Sequence, residues 1–329
     1  MLMLDLGRLE ILVHFSQLGS IAATAESLGY SASAISQQLV ALEREIGRTL
    51  LERTARSAAL TDTGRLLVGH AVRLLAEAER VEAEMAAHSQ AIGGRLIVST
   101  IPSLAVNTAR ALTAVQRDHP ALEIVMRQLD SRDAAAALEH RLTDIALLDD
   151  WSRTRRAPSR ALIQHQIHVD PVVLAVPAGH SLAESSSPLS QSELAKSIQS
   201  MTLLSAPEGH MSRLATDQRL RELTVTPARR WEFEGLATLA ELVATGAGCA
   251  FLPRSLGRLQ AHNRLVLRGL TPPMERRIYA LHRAASRTSP AVELCLRTVS
   301  TCLLKLQTDP SADVVSHADT GPTRRRGAR

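Results

Sequence analysis

The 329-residue chain is 45% hydrophobic and 22% charged, enough for two domains with apolar cores. Its 38 Lys and Arg, overwhelmingly arginine, against 33 Asp and Glu give a formal net charge of +5, which fits a nucleic-acid partner without establishing one. Aromatic residues make up only 2%, too few for the stacking platforms of single-strand and RNA binders, and Cys249, Cys295 and Cys302 form no CxxC pair, which speaks against a disulfide framework or a zinc site.

The apolar N-terminal stretch is broken by Asp5, Arg8 and Glu10, so neither a signal peptide nor a membrane span is expected. Leu6, Leu9, Leu12 (or Val13) and Leu18 space a first amphipathic helix, with Phe15 alongside. From Ser20 to Gly47 the chain reads as two helices joined by a tight turn. Ser20 caps the first, and Ile21, Ala25 and Leu28 recur along it until Gly29 stops it. Ser31 or Ser33 caps the second, whose apolar stripe is Ile35, Leu39, Leu42 and Ile46. Small residues at Ala22, Ala23 and Ala25 permit close approach, giving a helix-turn-helix with Ser33, Ser36 and Gln37 opposite the core. Charge does not favour the assignment. Up to Asp62, Arg8, Arg44, Arg48, Arg53 and Arg56 are outnumbered by acidic residues.

After Gly47 a strand-like stretch carrying Arg53 and Arg56 reads as a two-stranded wing, placing both arginines for phosphates or a narrow minor groove. A long helix follows to about Ala91. Leu67, Ala71, Leu74, Ala78, Val81 and Met85 are spaced alternately four and three, a heptad seam continued by His88 and Ile92. About 29 residues at about 1.5 Å each predict a rod of about 43 Å. Its alanine-rich seam suits pairing with a second copy, and a dimer suits a reader of two half-sites.

Gly93-Gly94 ends the rod and the periodicity changes to short apolar strands alternating with helices. Strands at Leu96–Val98, Leu122–Leu129 and Ile145–Leu148 alternate with helices near 104–116 and 132–140, which predicts a mainly parallel sheet. Asp170-Pro171 opens the strand VVLAVP. Further strands at 202–204, 231–233, 249–252, 265–270 and 278–281, with a last helix over 291–306, give a second sheet and two crossings of the chain. The cleft between such sheets is where ligands bind. Past about residue 307 the chain is too polar to order itself and is expected to be disordered.

This arrangement resembles the LysR-type transcriptional regulators from about Leu4 to Leu306. The most specific part runs through Leu9, Phe15, Gly19-Ser20, Ala25-Glu26, Leu28, Ser36-Gln37-Gln38-Leu39, Leu42-Glu43, Gly47, Leu50-Leu51-Glu52-Arg53, Leu60-Thr61 and Gly64. Leu142–Ala146, Asp170–His180 and Val243–Pro253 are similar to segments of the family's effector domain. Leu51 stands where the family generally has Phe, Thr24 where Ala is common, and Gln37 where a basic residue or His is frequent. Gln pairs with adenine rather than guanine, so no guanine contact is carried over. The resemblance implies an N-terminal winged helix-turn-helix (1–62), a dimerising linker helix (63–92) and a two-lobed, periplasmic-binding-protein-like α/β effector domain (93–306). One lobe takes about 95–168 and 266–306, the other about 169–265. It implies a cytoplasmic protein, a dimer of dimers on double-stranded DNA, a small-molecule effector and RNA polymerase among the partners.

For DNA the candidates are Ser33, Ser36 and Gln37 near base edges, Ser31 and Gln38 at the backbone, and Arg53 and Arg56 on the wing. Ser31 and Ser33 serve equally well as caps, and Arg53 as a brace. For the effector they are Thr100, Ile101 and Ser103 ahead of a helix N-terminus, Ser205 at a strand end, and Leu129, Asp149 and Phe251 as walls. No metal or cofactor is expected. Gly246-Ala247-Gly248 lies between helix and strand, the reverse of the dinucleotide fingerprint, and no GxSxG, HExxH or P-loop occurs, so no enzyme is indicated. A two-lobed solute-binding protein is the alternative for the cleft, but it predicts a secretion signal and no helix-turn-helix.

Overall fold

The computed structural model describes residues 4–53, 58–89, 92–152, 158–256 and 264–308. Three helices open the chain: α1 (Leu6–Leu18), α2 (Ile21–Leu28) and α3 (Ala32–Ile46). Each is delimited by its own residues. The side chains of Asp5, Ser20 and Ser31 accept the first-turn amides, and Gly19, Gly29 and Gly47 take the left-handed conformation at the ends. Leu9, Leu12 and Phe15 of α1 close over Ala25, Ile35, Leu39 and Leu42 in one apolar core. Strands β1 (Leu51–Arg53) and β2 (Ala58–Leu60) pair antiparallel as the wing, with Leu51 opposite Leu60. Glu43 on α3 anchors this hairpin, its Oε1 accepting the amides of Leu50 (2.8 Å) and Leu51 (3.0 Å).

Helix α4 (Asp62–Ser89) starts against the wing. A Cβ on Gly64 would stand 2.3 Å from the Leu50 carbonyl, so only glycine permits this approach. The helix buries Gly64, Ala71, Leu75, Glu79 and Ala83 against its own chain. That corrects the single seam expected from the heptad: Ala71 is fully buried and Leu67 half-buried in the winged-helix core, because α1 supplies a surface that local periodicity cannot reveal. Leu74, Val81 and Met85 are exposed, and Ala78 is half-buried.

The remainder builds one nine-stranded sheet in two parts. The strands in chain order are β3 (Gly94–Thr100), β4 (Leu122–Gln128), β5 (Ile145–Asp150), β6 (Leu162–Pro177), β7 (Thr202–Ser205), β8 (Arg229–Glu232), β9 (Cys249–Pro253), β10 (Leu265–Arg268) and β11 (Met274–Arg283). Spatially the order is β4-β3-β5-β11-β6-β9-β7-β8, with β10 also on β6. Helices α5 (Ala105–Asp118), α6 (Ala134–Glu139) and α10 (Pro290–Thr308) belong to the first part; α7 (Gln191–Ser200), α8 (Met211–Glu222) and α9 (Leu236–Ala244) to the second. Separate apolar cores lie on the two faces of each part, as expected for α/β lobes.

The long β6 joins the lobes. Its start pairs with β11, and its end pairs with β9 and β10. Asp170-Pro171 does not open a strand, as the sequence suggested, but lies inside this one. Pro171 pairs only on the β11 side, one residue before β9 joins, an edge-like position that tolerates a missing N–H. The lobe boundary also moves. β10 pairs with Leu174–Pro177 and so belongs to the second lobe, although the sequence assigned residues from 266 onward to the first; the chain crosses back only in β11. Among the described residues no helix is long and apolar enough to cross a membrane.

Candidate nucleic-acid interface and ligand cleft

The first turns of α3 present Ala32, Ser33 and Gln37 to solvent, with Ile35 and Leu39 turned to the core. Ser31 is engaged as the N-cap, its Oγ accepting the Ala34 amide at 3.2 Å and lying 3.0 Å from Ser33 Oγ. Gln38 is exposed, but its Oε1 accepts Arg8 Nε at 2.9 Å, and Arg8 also pairs with Glu45. Gln38 therefore ties α3 to α1. Ser36 is half-buried. Gln37 stands exposed, its side chain without a hydrogen bond among the described residues. Arg53 closes β1; Arg56 lies outside the described residues, as do 309–329, where the disordered tail was expected.

Tyr30 is a candidate that periodicity missed. It is 61% exposed, directly ahead of the α3 cap, with a hydroxyl able to reach a phosphate. Its signal in the sequence was an aromatic between Gly29 and Ser31 that fits neither helix's apolar stripe. Arg44 and Arg48 are also exposed near the C-terminal end of α3.

Between the lobes is a cavity of about 180 Å³, lined by Ile101, Pro102, Ser103, Leu129, Asp130, Ser131, Asp149 and Trp151 from one side. Ala206, His210, Met211, Ser212, Glu234, Gly235 and Leu236 face them. Of the expected effector residues, Ile101, Ser103, Leu129 and Asp149 are brought together here. Thr100 is buried one residue behind, its Oγ1 directed at the Ile101 carbonyl (3.4 Å). Ser205 is buried at the end of β7, its Oγ without a partner among the described residues. Phe251 is not a wall: β9 is an interior strand, and Phe251 packs into the second lobe's core with Val172, Leu174 and Leu203.

Behind the lining Ser103 and Asp149 lies a residue that sequence reading overlooked. Arg276 on β11 is 0% exposed. Its Nη1 donates to Ser103 Oγ (2.8 Å) and lies 3.5 Å from Asp149 Oδ2, and its Nη2 donates to Asp170 Oδ2 (3.1 Å). Asp149 also accepts Ser131 Oγ (2.9 Å) and Trp151 Nε1 (2.7 Å), and Asp170 accepts Ser255 Oγ and the Ser255 amide. Trp151 carries the guanidinium at 5.8 Å from its ring centroid. Because Ser103 Oγ accepts from Arg276, its own hydrogen is available to another acceptor. Helices α8 and α9 begin at the opposite wall, and neither has a side-chain cap, which leaves amides to face a ligand. The hint of Arg276 in the sequence is an arginine in step with Met274, Ile278 and Ala280.

Comparison with known proteins places these parts. The description "Bacterial regulatory helix-turn-helix protein, lysR family" matches residues 6–65, and "LysR substrate binding domain" matches 89–301. The nitrogen assimilation regulatory protein nac of Escherichia coli is 28% identical over 292 residues, covering 87% of this chain and 91% of that protein. The hydrogen peroxide-inducible genes activator of Haemophilus influenzae is 27% identical over 250 residues, 74% of this chain and 78% of its own. Among solved structures, a full-length OxyR variant from Pseudomonas aeruginosa superposes with a TM-score of 0.68 at 21% identity, covering 91% of this chain and 96% of that one. A Corynebacterium glutamicum OxyR mutant gives 0.56 at 22%, covering 92% and 93%.

Proposed function

The chain belongs to the LysR family of bacterial regulatory proteins, and on that premise we propose how it acts: α3 reads promoter DNA while the interlobe cavity takes a small effector. Its relatives are transcriptional regulators rather than transporters, which sets aside the solute-binding alternative. The observation that carries the reading is the exposed Ser33 and Gln37 on a helix whose opposite face is locked into an apolar core. Gln37 and Ser33 contact base edges, Tyr30 and the arginines of the wing contact phosphates, and Gln38 with Arg8 fixes the angle of the reading helix.

The exposed Leu74, Val81 and Met85 pair two copies along the upper half of α4, and two such dimers form the tetramer. The protein works in the cytoplasm, contacts RNA polymerase at its promoters, and performs no turnover. The effector is compact, since about 180 Å³ lies below the usual range for ligand pockets. An acidic group on it meets the uncapped starts of α8 and α9 and the Ser103 hydroxyl. The peroxide response in one relative's name is not proposed for this chain. Burial pushes the Cys249 thiol up to about 12 and that of Cys295 to about 11, and none of the three cysteines lines the cavity.

The test is a gel shift with the DNA immediately upstream of the protein's own gene, at moderate salt, using protein shown to be a folded dimer or larger. A shift that survives competitor DNA is expected. Equal retention of unrelated DNA would sink the reading.

A further inference from the structure

The contact between the DNA-reading part and the first lobe is built in an unusual way. The winged-helix core and the first lobe's core share no residue. Along α4 beyond Leu75, the buried residues are only Glu79 and Ala83, one carboxylate and one methyl group. What holds α4 on the lobe there is therefore charge. Glu79 Oε2 lies 2.8 Å from Arg141 Nη1 and 2.8 Å from Arg283 Nε, both from the first lobe.

The two arginines are held differently. Arg283 is fixed inside the lobe without help from Glu79, donating to the carbonyls of Leu138 (3.0 Å) and Thr143 (2.6 Å) and to Asp144. Arg141 is held in place at a backbone cost. Its φ is 62°, in the left-handed region that favours glycine, just past the end of α6. From there its guanidinium reaches Glu79 and the Leu75 carbonyl (3.3 Å), with Glu10 at 3.7 Å. A second cross-contact, Arg127 Nη2 to the Ser27 carbonyl at 3.1 Å, is also polar. Beside these contacts lies a cavity of about 720 Å³, so the surfaces are bridged rather than sealed.

We propose that Glu79, clasped by Arg141 and Arg283, is the latch that sets the orientation of the DNA-reading part against the effector domain. The inference rests on the regulator reading for its purpose but not for its test. A junction of ion pairs without a shared apolar core opens and closes with little apolar surface exposed, as a two-position element requires. Arg283 ends β11, the strand that carries Arg276 behind the cavity-lining Ser103 and Asp149, so a rise of seven residues of strand, about 24 Å, separates Arg276 from the latch. A ligand that shifts Arg276 or Ser103 acts on the latch through that strand.

The test uses the full chain with spin labels at Glu26→Cys and Glu123→Cys in a Cys302→Ser background, diluted into an excess of unlabelled protein so that only distances within one chain are read. The unaltered latch gives one narrow distance population. Arg141→Gly, which relieves the left-handed backbone while deleting the guanidinium, and Glu79→Leu each broaden it or add a second population, with the melting temperature of Arg141→Gly close to the parent's. Distance distributions in both variants that superpose on the parent's would overturn the latch. If Glu79→Leu does not fold, Arg141→Gly decides alone. Upstream-DNA binding is measured separately on the parent; its loss would count against the regulator reading and leave the distance result standing.

Discussion

The reading helix and the interlobe cavity both offer polar groups to a partner, and they do so in opposite ways. On α3 the polar groups are local, exposed and mostly neutral, and an apolar stripe one turn away fixes their direction. Behind the cavity wall they are charged and buried, and they pair with one another: Arg276 holds Asp149 and Asp170, and Trp151 and Ser131 complete Asp149. The helix can lose one contact residue and keep its shape. The Arg276 cluster cannot, because its charges depend on partners from distant parts of the chain.

Substitution of the arginine tests that contrast most severely. Arg276→Met leaves Asp149 and Asp170 buried without their cation and is expected to lower stability by about 3–5 kcal/mol in urea unfolding. A loss no larger than that of a surface variant would mean that the cluster is not interdependent. Acid is the next lever. His14 and His282 are held near neutral imidazole, their pKa values lowered from 6.5 to about 4, chiefly by burial and then by Arg141 for His14 and His165 for His282. The unfolded chain therefore binds more protons between those values, so stability is full above about pH 6.5 and falls as the pH drops toward 4. His14, with both ring nitrogens lacking partners among the described residues, makes this checkable: His14→Leu should flatten the pH dependence of the melting temperature over that interval. An unchanged slope would remove His14 from the account.

Effects on the helix side are smaller and confined to one property. Gln37→Ala should leave the melting temperature unchanged and weaken specific DNA binding by about 1–3 kcal/mol, with non-specific binding retained. A proportionate loss on all DNA would reassign Gln37 to the phosphate backbone. Smallest of all, Ser20→Ala removes the acceptor for the Ala23 amide (3.4 Å) and should cost about 1 kcal/mol in thermal unfolding. No measurable cost would show that Leu9, Leu12 and Ile35 alone hold α2 in place.

The same contrast explains what the sequence disclosed. The ends of α2 and α3 were legible because Ser20, Gly29, Ser31 and Gly47 act on amides and carbonyls within four residues of themselves. The cavity was legible where a loop precedes a helix, at Ile101 and Ser103, and at the strand ends that carry Leu129 and Asp149. Arg276 escaped because its partners at 103, 149 and 170 are brought near by a sheet order that the sequence does not spell out. Phe251 was misplaced for the same reason: which face of β9 looks into a core depends on the helices covering it. On α4 the heptad gave the right spacing, but α1 covered its lower half and Glu79 took a position that no apolar periodicity would choose.

The most direct test of the account is a footprint of the full-length protein on the DNA upstream of its own gene, read base by base for the parent and for Gln37→Ala. Two half-sites of related sequence, centred about 34–36 Å or a multiple apart, with protection at one base position in each half weakened by the variant, are predicted. Protection without half-site symmetry, or a variant footprint identical to the parent's, would contradict it.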